Sequence, residues 1–259
     1  MTPAFTCLIP AHNEATRIAS VLAAVQGHPL IKSVIVIDDG SQDGTADIAS
    51  AFGITVLRLS PNRGKSAALA EALARVTTSH VVLLDADLIG LTAADLSCLI
   101  APVAEARADV ALSLRGNAPL LWQWLGVDYI TGERVMPMSL ITPVLSDIKA
   151  LPRFGLEVFL NSTLQQARAS VAIVRWRAVS SPSKAHKTGW RAGVRADLGM
   201  MRDILNTVSI STTFAQIAFL RDASQQNGAL PIPERLALWI KRLLHIRDGH
   251  AAHSSDTTR

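Results

Sequence analysis

The feature that most constrains the fold is the alternation of strand-like and helix-like segments along the first 115 residues. Short runs rich in Val, Ile and Leu are typical of strands that are buried on both faces, and segments with helical spacing separate them. Strands are predicted at 5–9, 33–37, 54–59, 80–84 and 109–114, and helices at 14–26, 45–52, 66–76 and 93–106. Because parallel strands need crossover connections, this order predicts an α/β fold with an open, mostly parallel sheet flanked by helices.

The periodicity changes after Arg115. We expect a long loop or a broken helix over 116–134, helices over 135–146 and 156–168, a strand over 171–179 with outward-facing Arg175 and Arg177, and a polar loop over 180–189. A helical C-terminal region is predicted up to about Arg247, and 248–259 is predicted to be a disordered tail. No flexible linker separates 1–115 from 116–247, so we expect two halves of one integrated domain.

Composition excludes several classes of protein. Hydrophobic residues make up 49% and charged residues 18% of the chain, which is the opposite of a disordered composition. Two cysteines exclude a disulfide scaffold and predict a reducing compartment. Neither a signal peptide nor a stretch of 18 uncharged apolar residues is recognisable, so a cytoplasmic protein is expected.

Polar clusters follow four of the predicted elements: Pro10–Glu14 after the first strand, Asp38–Ser41 after the second, Asn62–Lys65 after the third and Asp85–Asp87 after the fourth. Any one of them has a local explanation, because Asp-Gly pairs form turns and Asn13 could cap a helix. In open parallel sheets, however, ligands bind outside the carboxyl ends of the strands. Four clusters at one such edge favour a ligand site.

The pair Asp85 and Asp87 is the sharpest of these signals. Two carboxylates spaced by one residue directly after a buried strand can share a divalent cation, and Mg²⁺ commonly binds through one or two carboxylates together with substrate phosphates. Gly64-Lys65-Ser66 resembles part of a phosphate-binding P-loop, but that motif needs glycine where this chain has Leu59. An NTPase is therefore disfavoured, while Lys65 at a helix start can still place positive charge near a diphosphate.

Positive charge is concentrated in the second half. Eight Lys or Arg residues lie between Arg168 and Arg202 against one acid, Asp197, although the net charge of the whole chain is only +4. Such a segment suits phosphate-bearing ligands or an anionic membrane face, and a solvated surface is the alternative. No nucleic-acid-binding motif is present, so no nucleic-acid partner is expected.

Four motifs in register carry a resemblance to a known family. CLIPAHNE (7–14), VIVIDDGSQDGT (34–45), NRGKSAAL (62–69) and VVLLDADL (81–88) resemble the family 2 glycosyltransferases, which have the Rossmann-like GT-A fold. The resemblance implies a UDP- or GDP-linked sugar donor and Mg²⁺ or Mn²⁺ as cofactor. It implies donor binding by Pro10, Ala11, Asn13, Glu14, Asp38, Asp39, Lys65, Asp85 and Ala86. Asp87 is then a metal ligand with Asp85, and Asp87 and Lys65 stabilise the leaving diphosphate.

A second resemblance covers later segments. TGERVMP (131–137), FGLEVFLN (154–161) and SKAHK (183–187) resemble the retaining glucosyl-3-phosphoglycerate and mannosyl-3-phosphoglycerate synthases. It implies His186 as a third metal ligand, and acceptor binding by Thr131, Gly132, Glu133, Arg134, Glu157 and Lys184. Glu133 is the implied catalytic base of an inverting enzyme, or a residue that positions the sugar in a retaining one. The Gly-Arg-Val-Thr segment that holds phosphoglycerate in those synthases is absent from 116–130.

These patterns together predict metal-dependent transfer of a hexose from a nucleoside diphosphate sugar to a small phosphorylated or carboxylated acceptor. Polyprenyl-phosphate sugar transferases are the alternative: they share the early motifs, Ser183-Lys184 would bind the lipid phosphate, and a basic amphipathic helix over 235–247 could lie at the inner membrane face. A nucleotidyltransferase would need a Gly-rich, Arg-containing loop in place of His12-Asn13-Glu14, and a non-catalytic binding module could dispense with Asp87. A homodimer is compatible with these sequence patterns.

Overall fold

The computed structural model describes residues 3–151, 155–182 and 210–225. The strands are β1 Phe5–Ala11, β2 Ile31–Asp39, β3 Thr55–Leu59, β4 His80–Leu83, β5 Val110–Arg115, β6 Arg134–Pro137 and β7 Val171–Trp176. The helices are α1 Ile18–Val25, α2 Thr45–Ala51, α3 Lys65–Leu73, α4 Ala93–Ala104, α5 Leu120–Leu125, α6 Met138–Ile141, α7 Leu145–Ala150, α8 Gly155–Ala167 and α9 Ile210–Gln225, with a 3₁₀ turn at Thr142–Val144.

All seven strands form one sheet in the order β3-β2-β1-β4-β6-β5-β7. The pairs β1–β2, β1–β4, β2–β3 and β5–β7 are parallel, whereas β6 runs antiparallel to both of its neighbours. The prediction of an α/β fold with a mostly parallel sheet is therefore confirmed. The five strands predicted in the first 115 residues are all present, and each boundary lies within two residues of the prediction.

The helix predicted over 135–146 is wrong at its start. Residues 134–137 form β6, and the fully buried Val135 and Met136 lie between β4 and β5. Burial between two strands outweighs the local helical pattern here, because β propensity reflects packing more than intrinsic backbone preference. The remainder is broken into α6, the 3₁₀ turn and α7, since Pro143 cannot donate a backbone hydrogen bond.

Helices cover both faces of the sheet, because side chains along each strand alternate between two apolar cores. On β1, Leu8 packs with α3 and α8, while Cys7 and Ile9 pack with α1 and α4. The predicted helix over 156–168 is present as α8, and the strand predicted over 171–179 ends at Trp176. With both faces covered, the edge where β1, β2 and β4 end remains open for the loops that carry the polar motifs.

Candidate active site

An open cleft of about 240 Å³ lies at the carboxyl ends of β1 and β4. It forms there because the two strands are neighbours in the sheet, so the loops that follow them face each other. The lining residues come from all four motifs: Pro10, Ala11, His12, Glu14, Asp39, Lys65, Asp85, Ala86 and Asp87. The structure therefore brings together seven of the nine predicted donor-binding residues, together with Asp87.

Asp39 at the end of β2 organises the loop that precedes α3. Its carboxylate accepts hydrogen bonds from the backbone N–H groups of Arg63 (2.8 Å) and Gly64 (2.7 Å). Gly40 allows the two loops to approach, because a Cβ there would lie 3.0 Å from the backbone nitrogen of Asn62 and its φ is +75°. Asp39 thus lines the cleft and also fixes the loop that presents Lys65.

Two predicted donor-binding residues, Asn13 and Asp38, do not line the cleft but lie in the turns beside it. Asn13 has φ +58°, and its side-chain oxygen accepts from the backbone N–H of Gln42 at 2.9 Å. Asp38 is buried and accepts from the backbone N–H of Ser41 at 3.2 Å. Both side chains stabilise turns beside the site.

His12 lines the cleft, although the motif analysis assigned it no role. Its Nδ1 lies 2.9 Å from the carbonyl oxygen of Asp39, so Nδ1 carries a proton and donates it. Its Nε2 then accepts from the side-chain amide of Asn13 at 3.1 Å. The available signal was its position in the Pro10–Glu14 cluster, between residues that were assigned to the site.

Lys65 joins the donor side of the cleft to α8. Its Nζ lies 2.8 Å from Oδ1 of Asp85 and 3.0 Å from Oε1 of Glu157. Burial by itself would lower the pKa of Lys65, but the negative charges of Asp85 and Glu157 outweigh it and raise that pKa above its ordinary value. Burial would likewise raise the pKa of Asp85, and the charge of Lys65 holds it below the usual range. Asp85 and Glu157 therefore face a permanent cation.

For Asp87, in contrast to Asp85, burial and the neighbouring charges together raise the pKa. Burial, then the charge of Asp85, then that of Glu14 raise the pKa of Asp87 to about 6. Within the described part of the chain, no group of three or more His, Cys, Asp or Glu side chains is placed to hold a metal ion. Asp85 and Asp87 still supply two carboxylates whose mutual repulsion a divalent cation would relieve, and two are enough for Mg²⁺ when donor phosphates complete its coordination. The predicted ligand His186 and the predicted acceptor residue Lys184 lie outside the described residues.

The residues of the TGER motif divide into two groups. Gly132 adjoins the cleft, because a Cβ on it would lie 2.6 Å from both carboxylate oxygens of Asp85. Thr131, Glu133 and Arg134 are instead buried behind it. This position differs from the acceptor-facing one that the resemblance implies for these three residues.

Glu133 sits in a small polar network in the interior. Its Oε2 accepts hydrogen bonds from the hydroxyls of Ser113 and Thr131, both at 2.6 Å, and its Oε1 lies 3.5 Å from the Arg115 guanidinium. Arg115 also pairs with the buried Asp128 at 3.3 Å. Burial raises the pKa of Asp128 to about 6, and Arg115 opposes that rise.

Arg134 ties the same segment to α8. Its Nε donates to the carbonyl of Thr131 at 2.9 Å, and its guanidinium donates to the side-chain oxygen of Asn161 at 2.8 Å. Asn161 in turn donates to the carbonyl of Tyr129 at 2.9 Å. Sequence reasoning missed Arg115, Asp128 and Asn161, because their pairing arises only from the folded register of β5, β6 and α8.

The family model for "Glycosyl transferase family 2" matches residues 6–122. This range contains β1 from Thr6 onward, β2 to β5 and every residue that lines the cleft. Residues 6–122 therefore match a family 2 glycosyltransferase domain. The predicted family is thereby confirmed, as is the prediction that the chain carries a glycosyltransferase domain.

Curated relatives include the 4,4'-diaponeurosporenoate glycosyltransferase of Staphylococcus aureus (strain USA300), which is 35% identical over 89 residues. That alignment covers 32% of this chain and 24% of the relative, so the chain spans about a quarter of the length of the curated relatives that it matches.

Similar solved structures include the glucosyl-3-phosphoglycerate synthase from Mycobacterium tuberculosis in complex with Mn²⁺, UDP-glucose and phosphoglyceric acid. It has a TM-score of 0.62 and 23% identity, and the match covers 83% of this chain and 80% of that one. The same synthase with Mg²⁺ and UDP matches with the same TM-score, identity and coverage. At this identity the likeness shows the fold, and the GT-A prediction is confirmed.

Among the helices of the described ranges 3–151, 155–182 and 210–225, none combines the length and the apolar character that crossing a bilayer requires.

Proposed function

We propose that the protein transfers a hexose from a nucleoside diphosphate sugar, UDP- or GDP-linked, to a small phosphorylated or carboxylated acceptor with the help of Mg²⁺ or Mn²⁺. The observation that carries this proposal is the convergence of Asp85, Asp87, Asp39 and Lys65 on one cleft at the carboxyl edge of the sheet. Support also comes from the synthase structures of the same fold, which were solved with Mn²⁺ and UDP-glucose or with Mg²⁺ and UDP.

On the donor side, Pro10, Ala11 and His12 form the wall that would hold the nucleoside, and Asp39 fixes the loop opposite. Asp85 and Asp87 would hold the cation. When bound, the cation supplies positive charge to the diphosphate as the glycosidic bond to it breaks. Lys65, which the cleft already exposes, adds a second positive charge for the leaving diphosphate.

On the acceptor side, Glu157 and Gly132 lie next to the donor residues, since Glu157 contacts Lys65 and Gly132 abuts Asp85. We therefore assign residues 1–115 to the donor half and 116–247 to the acceptor half. Glu157 is the acid closest to where sugar and acceptor would meet. Thr131, Glu133 and Arg134 would act as positioning residues, because their side chains are buried and hold the segment that bears Gly132.

A phosphorylated or carboxylated acceptor is supported by the phosphoglyceric acid bound in the similar synthase structure. The test is an assay of nucleoside diphosphate release from UDP-glucose and GDP-mannose, each with phosphoglycerate or another small phosphorylated or carboxylated acceptor, in the presence of Mn²⁺ or of EDTA.

We expect release from one donor that depends on both the acceptor and the metal, together with a glycosylated product. Product formation that is unaffected by EDTA would contradict the metal assignment. Release of pyrophosphate from a sugar phosphate and a nucleoside triphosphate would instead indicate a nucleotidyltransferase.

A further inference from the structure

Exposed apolar side chains gather at the same edge of the sheet as the cleft. Within the described residues, four large hydrophobic side chains are exposed: Leu30, Ile89, Leu121 and Trp124. Three of them follow the carboxyl ends of β4 and β5, and Ile89 lies only two residues after Asp87. Trp124 is 53% exposed, which is unusual for the largest apolar side chain.

Hydrogen bonds join the segments that carry these residues. Ile89 and Ser180 exchange two backbone hydrogen bonds of 2.8 and 3.0 Å, and the N–H of Gly116 donates to the carbonyl of Val179 at 3.0 Å. The contact between the last two segments is close, because a Cβ on Gly116 would lie 2.2 Å from the carbonyl oxygen of Arg177. The segments 88–91, 115–117 and 177–180 are therefore parts of one packed surface.

Helix α5 extends this surface. Leu121 and Trp124 are three residues apart and lie on its outer face, whereas Trp122 is buried on the inner face. The side-chain amide of Gln123 donates to the carbonyl of Gly116 at 3.1 Å, which anchors the helix to the same turn. At the end of α5, Gly126 lies beside Arg175, whose guanidinium nitrogen is 3.6 Å from the position of a Cβ.

The segments 88–91, 115–127 and 171–182 contain three arginines and no aspartate or glutamate, while the acids Asp85 and Asp87 line the neighbouring cleft. Arg115 is buried and paired with Asp128 and Glu133, so it adds no free charge to this surface. Two of the arginines, Arg175 and Arg177, are exposed. Exposed Trp and aliphatic side chains among arginines, with no acid, are characteristic of surfaces that bind anionic lipid headgroups and insert apolar groups at the interface.

We propose that the surface formed by 88–91, 115–127 and 171–182 docks on an anionic lipid membrane. The apolar residues Ile89, Leu121 and Trp124 would enter the interface, and Arg175 and Arg177 would contact the lipid phosphates. Because Ile89 follows Asp87 so closely, docking would bring the cleft next to the headgroups.

The experiment is co-sedimentation of the full chain with vesicles of phosphatidylcholine, with and without phosphatidylglycerol. Two double variants test the surface: Leu121→Gln with Trp124→Gln, and Arg175→Gln with Arg177→Gln. Leu30→Gln is the apolar control, and Arg58→Gln with Arg75→Gln is the charge control, since those two arginines are also exposed and lie elsewhere on the protein.

We expect binding to the anionic vesicles alone. The arginine variant should bind at least about tenfold more weakly, because each arginine near such a membrane contributes roughly fivefold. The Leu121 and Trp124 variant should also bind at least about tenfold more weakly, because two apolar side chains no longer enter the interface. The controls should bind like wild type, and all variants should keep the melting temperature and the affinity for UDP with Mn²⁺. Equal binding to neutral vesicles, no binding at all, or equal losses in the controls would overturn the proposal. Vesicle binding does not require the donor, so a failure of the proposed function would appear only in the UDP measurement.

Discussion

The two halves of the site contain the same kinds of charged residue but hold them in different ways. On the donor side, the charged side chains open onto the cleft, with Lys65 39% and Asp85 25% exposed. On the acceptor side, Asp128 and Glu133 have no exposed side-chain surface and pair with Arg115 inside the protein. The donor side is arranged so that charges remain available to a ligand, whereas the acceptor-side charges are paired with one another in the interior.

A motif of charged residues can therefore hold the fold together instead of binding a ligand. A buried ion pair does little for net stability, but removing one partner strands the other charge in the interior. The TGER segment (131–134) therefore holds Gly132 against Asp85, while the DADL segment (85–88) exposes its two carboxylates to the cleft. Variants on the acceptor side should lower stability first, and variants on the donor side should lower ligand binding first.

The largest expected effect is on stability. Glu133→Ala removes one of the two carboxylates paired with the buried Arg115 and the acceptor shared by the hydroxyls of Ser113 and Thr131. We therefore expect a loss of about 3 kcal/mol in the free energy of unfolding. Urea denaturation measures it. Glu133→Gln keeps an acceptor for the hydroxyls and should lose less. Unchanged stability with a large loss of UDP affinity would place Glu133 in the ligand site instead.

Asp87→Ala should have the converse effect. It removes one of the two carboxylates proposed to hold the cation, so metal-dependent turnover should fall at least about a hundredfold, or about 2.7 kcal/mol. Its melting temperature should not fall below that of wild type, because the side chain opens onto the cleft and the substitution removes a charge that Asp85 and Glu14 repel. Asp147→Ala, an exposed carboxylate on α7, is the control and should change neither quantity. A variant that keeps most of its activity would remove Asp87 from the metal site.

Gly132→Ala tests the junction between the halves. Its methyl group would lie 2.6 Å from both oxygens of Asp85, so the carboxylate must move away from Lys65. We expect about tenfold weaker UDP binding in the presence of Mn²⁺. Gly27→Ala adds the same methyl group where nothing lies within 4 Å, and with φ +69° it should lower stability alone. Equal UDP affinity in both variants would show that Gly132 does not position Asp85.

The smallest expected effect concerns pH. The pKa of Asp87 is raised to about 6 from an ordinary 3.8, so the folded protein keeps a proton that the unfolded chain releases. Without metal, wild type should lose stability as pH rises from about 4 to about 6. Asp87→Asn has no such titration, so its advantage in melting temperature should grow over that window and level off above it. Asp147→Asn is the reference variant. If the melting temperatures of wild type and Asp87→Asn change in parallel over this pH range, the neighbours of Asp87 do not destabilise its charge.

The sequence predicts those features of the structure whose signals are local in the chain. Apolar runs and the residues that follow them are local signals, so the parallel strands and most of the cleft, including Asp39, Lys65 and Asp87, were predictable. Strand β6 was not, because four residues that end in a proline carry no distinct period. Since β6 is antiparallel, Arg134 pairs with Leu83 at the carboxyl end of β4, which puts Gly132 beside Asp85. The buried pairing of Glu133 follows from that register alone.

The central claim is that the cleft between β1 and β4 binds a nucleoside diphosphate together with a divalent cation. Calorimetric titration of wild type with UDP and with GDP, in Mn²⁺ and in EDTA, tests it most directly. We expect binding of at least one of the two nucleotides in Mn²⁺, and at least about tenfold weaker binding in EDTA. Equal affinity with and without the metal, or binding of neither nucleotide, would contradict it.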